Sequence, residues 1–317
     1  MGWPWQKLTG RKQHPDTRCV GIELHRGRAF AVLWSGDAVT SCYTPAEDEQ
    51  GMAGLEAWLN AQQLQGLPAV ISLDTLDYEL HVVEAPPVPD NELADALRFR
   101  MRDLIALPPD EAQVQAFRMP ADAYRGRMDM VFAAVVARQV IRQLVHWCRS
   151  MELSLDSITI PELSILSLVA TLAPETAVGV LRLDDNDGVI YLYRDGGLYL
   201  TRRLNLGTQA LLPATADGEQ MAEQSNQVEA LALEVQRSLD FFDSQLGMGM
   251  VGEIWVLSPD ASDIHDVLPE LEQQVNVAVR SFSPGSLFTC ADKPLTASLA
   301  TALGNALIFH ARVGAPL

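Results

Sequence analysis

Residues 19–43 read CVGIELHRGRAFAVLWSGDAVTSCY, and residues 178–203 read VGVLRLDDNDGVIYLYRDGGLYLTRR. In the first stretch Val20, Ile22 and Leu24, then Phe30, Val32 and Trp34, then Val39 keep the two-residue period of half-buried strands. Arg26-Gly27-Arg28 and Ser35-Gly36-Asp37 interrupt these runs with glycine turns. The second stretch repeats the plan, with runs at 178–183, 189–193 and 198–203 and turns at Asp187-Gly188 and Asp195-Gly196-Gly197. A repeat of this length predicts two related halves. Each half opens with three short antiparallel strands.

The segments after the two stretches are similar too. After the first come a helical face at Leu55, Trp58 and Leu59, a short apolar strand at 69–73 and another strand at 78–84, closed by Pro86, Pro87 and Pro89. A strand at 155–159 and a helix from Pro161 to Leu172 complete the half, with proline suited to the first helical position. After the second stretch, residues 207–227 read as loop and weak helix. Val228, Leu231, Val235, Leu239, Phe242 and Leu246 then form one helical stripe ended by Gly247 and Gly249. A strand at 254–257, a helix at 261–274, a strand at 275–279 and a terminal helix at 295–309 come next. The pattern is that of a duplicated actin-like (ribonuclease H-like) α/β fold.

One segment has no counterpart in the second half. Asp90 is placed to cap a helix with Leu93, Leu97, Met101, Leu104 and Ile105 inward, and Pro108-Pro109 stops it. Strands at 114–119 and 128–137 and a helix at 139–150 complete the segment. The division is therefore a basic segment at 1–18 expected to be flexible, a first half at 19–176 with an α+β insert at 86–150, and a second half at 177–317 with a mainly helical subdomain at 207–250.

With 41 acidic against 23 basic residues, the 317-residue chain carries a formal charge of −18. Phosphate neutralisation needs clustered Lys and Arg, so no nucleic-acid partner is expected. The N-terminal segment reverses the sign, with Lys7, Arg11, Lys12 and Arg18 against one acid, Asp16. Trp3 and Trp5 beside these bases suit either a lipid headgroup layer or a groove on the protein itself. No apolar run approaches the roughly 18 residues that span a bilayer. Cys19, Cys42, Cys148 and Cys290 form no C-x-x-C and are expected as reduced thiols. The scattered histidines supply no zinc motif.

Several segments in order carry a resemblance: Val20-Gly21-Ile22-Glu23-Leu24, then Glu84-Ala85-Pro86-Pro87-Val88-Pro89-Asp90-Asn91-Glu92-Leu93, then Ala96-Leu97-Arg98-Phe99-Arg100-Met101-Arg102-Asp103-Leu104-Ile105, then Leu239-Asp240-Phe241-Phe242-Asp243. The set resembles the PilM-like proteins of type IV pilus assembly, and the proline-flanked segment most resembles the MSHA biogenesis branch, MshI. The resemblance implies a cytoplasmic, FtsA-related scaffold, peripheral to the inner membrane. It further implies a groove beside the insert that takes the cytoplasmic N-terminal tail of a bitopic, PilN-like inner-membrane partner. A homodimer is compatible with it.

The actin-like fold raises the question of ATP. Its two hairpin turns cradle phosphates when an Asp for the metal shell is followed by small residues, so that backbone N–H groups reach the anion. Here Glu23 and Gly27 mark the first turn, with His25 and Arg26 where small residues are expected, and Asp184 and Gly188 mark the second. Ser258, followed by Pro259, stands where a Gly-Gly turn would receive adenosine. Glu234 and Arg237 match positions that touch ribose and base, although a solvated helix pair explains them too. Glu162 is the candidate to polarise a water, or a first-turn acid complementing its helix dipole. These eight residues describe a vestigial nucleotide site. The turns also leave a sugar or acetate kinase without its phosphate cradle. The expectation is no catalysis, no cofactor and no metal, with an ATP- and Mg²⁺-dependent switch as the alternative. Arg98, Arg100 and Arg102 read as a solvated face offset by Asp95 and Asp103.

Overall fold

The computed structural model describes residues 18–46, 48–211, 218–258 and 264–313. Trp3, Trp5 and most of the basic N-terminal segment lie outside these residues, as do Pro259 and the expected start of the helix at 261. The first half begins with β1 (Cys19–His25), β2 (Arg28–Ser35) and β3 (Ala38–Tyr43), an antiparallel set joined by tight turns. Arg26 and Gly27 both adopt positive φ in the β1–β2 turn, a conformation that glycine enters without strain and arginine does not. Helix α1 (Ala53–Ala61) leads to β4 (Pro68–Ser72), which pairs parallel with β1.

The chain then leaves the sheet. β5 (Tyr78–Glu84), α2 (Leu93–Arg100), β6 (Ala112–Arg118) and β7 (Met130–Ala137) form a separate unit whose sheet runs β5-β7-β6. The continuous apolar run of β7 is that of a central strand buried on both faces. Val131, Ala133 and Val135 pack with Leu93, Leu97 and Met101 of α2, while Phe132 and Val136 face the main core. Helix α3 (Arg138–Ser150) then returns the chain to β8 (Ser154–Thr159), parallel to β4. The expected insert at 86–150 is corrected in two ways. Its sheet starts earlier, at Tyr78, because β5 pairs with β7. The helix at 138–150 is the crossover of the first half, with Cys148 packed beside Leu55 and Leu59 in that half's core. Asp90 caps nothing: it opens a 3-10 turn and its carboxylate accepts from Arg118 Nε at 2.7 Å. Leu104, expected inward, is 57% exposed because α2 stops at Arg100 and a 3-10 turn changes the facing.

After α4 (Pro161–Leu172) the plan repeats: β9 (Ala177–Leu183), β10 (Gly188–Arg194), β11 (Gly197–Leu204), short α5 (Thr208–Leu211), long α6 (Gly218–Asp240), β12 (Val251–Leu257), α7 (Leu268–Val275), β13 (Ala278–Ser281) and α8 (Ala300–Val313). The sheets, β3-β2-β1-β4-β8 and β11-β10-β9-β12-β13, have the same order. Helix α6 starts ahead of the expected Val228, and the strand expected at 275–279 begins at Ala278, because Asn276 in the left-handed region ends α7. Helices α4 and α8 lie against each other, α8 on β1 and β4 of the first sheet and α4 on β10 and β11 of the second. Hence every residue of α4 from Pro161 through Val169 is buried, as expected of a helix enclosed on all sides. Seating α8 needs two glycines. A Cβ on Gly21 would collide with the carbonyl oxygen of Ala302, and one on Gly304 with that of Ser164. Asn305 ties the layers: its amide donates to Ile22 O at 2.6 Å and Ser72 Oγ at 3.0 Å, and its carbonyl accepts from Ser164 Oγ at 2.5 Å.

Candidate functional site: the cleft between the halves

The equivalent turns β1–β2 and β9–β10 face one another across a cavity of about 640 Å³, whose wall includes His25, Arg26, Arg28, Asp184, Ser258 and Thr301. Side chains from the two turns bind each other there. His25 Nε2 lies 2.9 Å from Asp184 Oδ1. The Arg26 guanidinium donates to Asp187 and its Nε stands 3.6 Å from Asp184 Oδ2. Behind them Arg182 Nη1 donates to Glu23 Oε1 at 2.5 Å and to Thr301 Oγ1 at 3.0 Å, with Arg182 Nε 3.7 Å from Asp184 Oδ1. Glu23 is fully buried. A buried carboxylate stays charged only beside such a partner.

The backbone is engaged as well. The Gly27 N–H donates to Asp74 Oδ2 at 2.9 Å, so the amide that a phosphate would use already serves a carboxylate. In the second turn the Asp184 N–H donates to Asp187 O at 2.9 Å, and the Asp184 and Asp185 carbonyls accept from the N–H groups of Thr208 and Gln209. Gly188 is required by closeness: a Cβ there would meet Arg182 O at 2.8 Å and Leu183 Cδ2 at 2.9 Å. Burial opposes ionisation of Asp184, but the His25 hydrogen bond and the charges of Arg182 and Arg26 outweigh it and hold its carboxyl down to about 2. Burial likewise opposes the charge on Arg182, and Glu23 and Asp184 more than offset it, raising its pKa.

Of the eight residues read as a vestigial nucleotide site, Asp184 and Ser258 line the cavity, while Glu23 and Gly27 sit just behind its wall, held by Arg182 and Asp74. Glu162 is elsewhere, on α4 and buried. It accepts from Tyr78 Oη at 2.6 Å, and burial pushes its carboxyl up. Glu234 and Arg237 pair with each other on the outer face of α6, 38% and 58% exposed, and do not line the cavity. Sequence reasoning missed Asp74, Arg182 and Thr301. Two had signals: Arg182 interrupts an apolar strand, and Asp74 lies just past the carboxyl end of buried parallel β4, where α/β sheets place site residues. Thr301, on distant α8, had none. Among the described residues no group of three or more His, Cys, Asp and Glu could hold a metal, and no helix is long and apolar enough to cross a membrane.

The fold is shared with solved proteins. The structure described as the "PilM-PilN type IV pilus biogenesis complex" superimposes with a TM-score of 0.65 at 20% identity, over 93% of this chain and 99% of that one. The fold is actin-like. The cytoplasmic domain of EpsL, an inner-membrane component of the type II secretion system of Vibrio cholerae, shares it with a TM-score of 0.51 at 12% identity, over 92% of this chain and 95% of that one. No protein-family model and no curated protein matches the chain. Within the actin-like fold the facing turns are where phosphates are cradled, and here Glu23, Gly27 and Asp184 are each taken by Arg182, Asp74 and His25. Glu23 and Asp184 thus engage partners across the cleft.

Proposed function

We propose that the chain is a non-enzymatic scaffold of a type IV pilus assembly machine of the MSHA kind. It works at the cytoplasmic face of the inner membrane, where it docks the cytoplasmic tail of a bitopic, PilN-like partner. The observation that carries this reading is the pairing across the turns: Arg26 of one turn and Arg182 of β9 hold the carboxylates that an ATPase would keep for its metal. Opening them to a triphosphate would uncover Glu23 and Asp184 and bring like charges together. The likeness to the PilM–PilN complex and to the EpsL cytoplasmic domain supports an assembly role. The insert also offers a place for a tail. β5 is an edge strand of its sheet, with Val82 43% exposed, and an unpaired edge accepts an extended peptide as a further strand.

Calorimetric titration of the intact chain with the tail peptide of the bitopic partner encoded beside it tests the reading. Micromolar binding is expected, and Val82→Asp weakens it by roughly tenfold, about 1.4 kcal/mol, without moving the thermal midpoint. No heat at high micromolar peptide would remove the docking role. The second reading is an ATP-dependent switch in the same machine, favoured by the size of the cavity and by Asp184 and Ser258 in its wall.

A further inference from the structure

The four cysteines are free thiols with no sequence motif joining them. Folding brings two together. Cys42, near the end of β3, and Cys290, on the segment between β13 and α8, are separated by 248 positions in sequence, and their sulfurs lie 3.8 Å apart. Backbone and side chains on both sides enforce the approach. Val39 and Cys290 form an isolated parallel bridge, and Phe288 packs edge-on against Trp34 of β2 with centroids 5.5 Å apart. Cys42 is buried, whereas Cys290 is partly exposed. Cys19 and Cys148 are buried in different cores.

We propose that Cys42 and Cys290 are a dithiol site that a low-molecular-weight disulfide oxidises to a protein disulfide, stapling the segment before α8 onto edge strand β3 beside the cavity. The Cys290 thiolate, within reach of solvent, attacks one sulfur of the reagent and expels the other as a thiolate, which takes up a proton. Cys42 then loses its proton, attacks the Cys290 sulfur of the mixed disulfide and releases the second small thiol. Two protein thiols and one small disulfide become one protein disulfide and two small thiols. The bond needs the sulfurs to close from 3.8 Å to about 2 Å. Burial, reinforced by the neighbouring Cys290, pushes the Cys42 thiol up to about 12, so the second step quickens as pH rises. Thr44 and Pro45, just beyond Cys42, and Thr296 to Ser298, just beyond Cys290, are cavity wall. The staple therefore fixes two of its flanks relative to each other. This holds whether or not the cavity takes a ligand.

The test treats the intact chain with oxidised glutathione at mildly alkaline pH, alkylates the remaining thiols under denaturing conditions and digests without reductant. The expected result is a Cys42–Cys290 linked peptide, two of the four thiols lost to alkylation, and slowed amide exchange at Thr44, Ala46 and 296–299. Dithiothreitol reverses all three. Cys290→Ser, at a partly exposed position, abolishes the link and the slowed exchange together. A link through another pair, a lasting glutathione adduct on Cys290, or four alkylatable thiols after the reagent has oxidised a dithiol peptide in the same tube would each overturn the proposal.

Discussion

Arg182 leaves an apolar strand between Leu181 and Leu183 and reaches Glu23 on the equivalent strand of the other half. With 11% of the Arg182 side chain exposed and none of Glu23, the pair is buried. Removing one member strands the other, at a cost of about 3–5 kcal/mol, whereas replacing both with apolar residues restores much of the loss. Arg182→Met is therefore expected to lower unfolding free energy by about 3 kcal/mol, and Glu23→Leu added to it to recover more than half, as read by urea unfolding. Equal losses in single and double variants would mean that the pair does not carry this interaction. Asp184 gives a pH signature. Its carboxyl is held at about 2 in the fold against an ordinary 3.8, so its stabilisation is complete above the unfolded value and disappears as pH falls from about 4 toward 2. It amounts to about 2 kcal/mol. Asp184→Asn is expected to flatten that acid limb by this amount; superimposable limbs would contradict the depressed value. At this scale the sequence disclosed the cations in the first turn and the acids in the second, but not that they pair across the cleft. Pairing depends on where α8 and β9 bring Thr301 and Arg182, which no local pattern encodes.

Helix α6 is where periodicity spoke most directly. Val228, Leu231, Val235 and Phe242 of the expected stripe are all buried, while Leu233, off the stripe, is 52% exposed. Leu231→Ala is expected to cost about 2–5 kcal/mol by leaving a cavity, and Leu233→Ala less than about 0.5 kcal/mol; comparable losses by thermal unfolding would mean that the helix faces otherwise. Strands with tight glycine turns were equally legible, because alternation and turn chemistry are local. The insert boundaries were not. Whether β5 pairs with β4 or with β7 is decided by register with a strand far along the chain, and Pro86 marks only where β5 ends. The helix at 138–150 reads the same whether it closes the insert or crosses from β4 to β8. Its role comes from the core it joins.

The two five-stranded sheets share one strand order. Each sheet alone leaves one face open, and α4 and α8, packed on each other between the sheets, close both with one pair of helices. This places the two turns opposite one another, where His25 and Arg26 of one meet Asp184 and Asp187 of the other. The −18 charge of the chain opposes contact with anionic lipid, in keeping with the docking role proposed above. The most direct measurement is calorimetry of the intact chain with the partner's tail peptide, repeated in millimolar Mg-ATP. Peptide heat at micromolar concentration is expected, with the same affinity with and without Mg-ATP and a flat baseline when Mg-ATP is added alone. Heat from Mg-ATP, with a peptide affinity that changes in its presence, would contradict it.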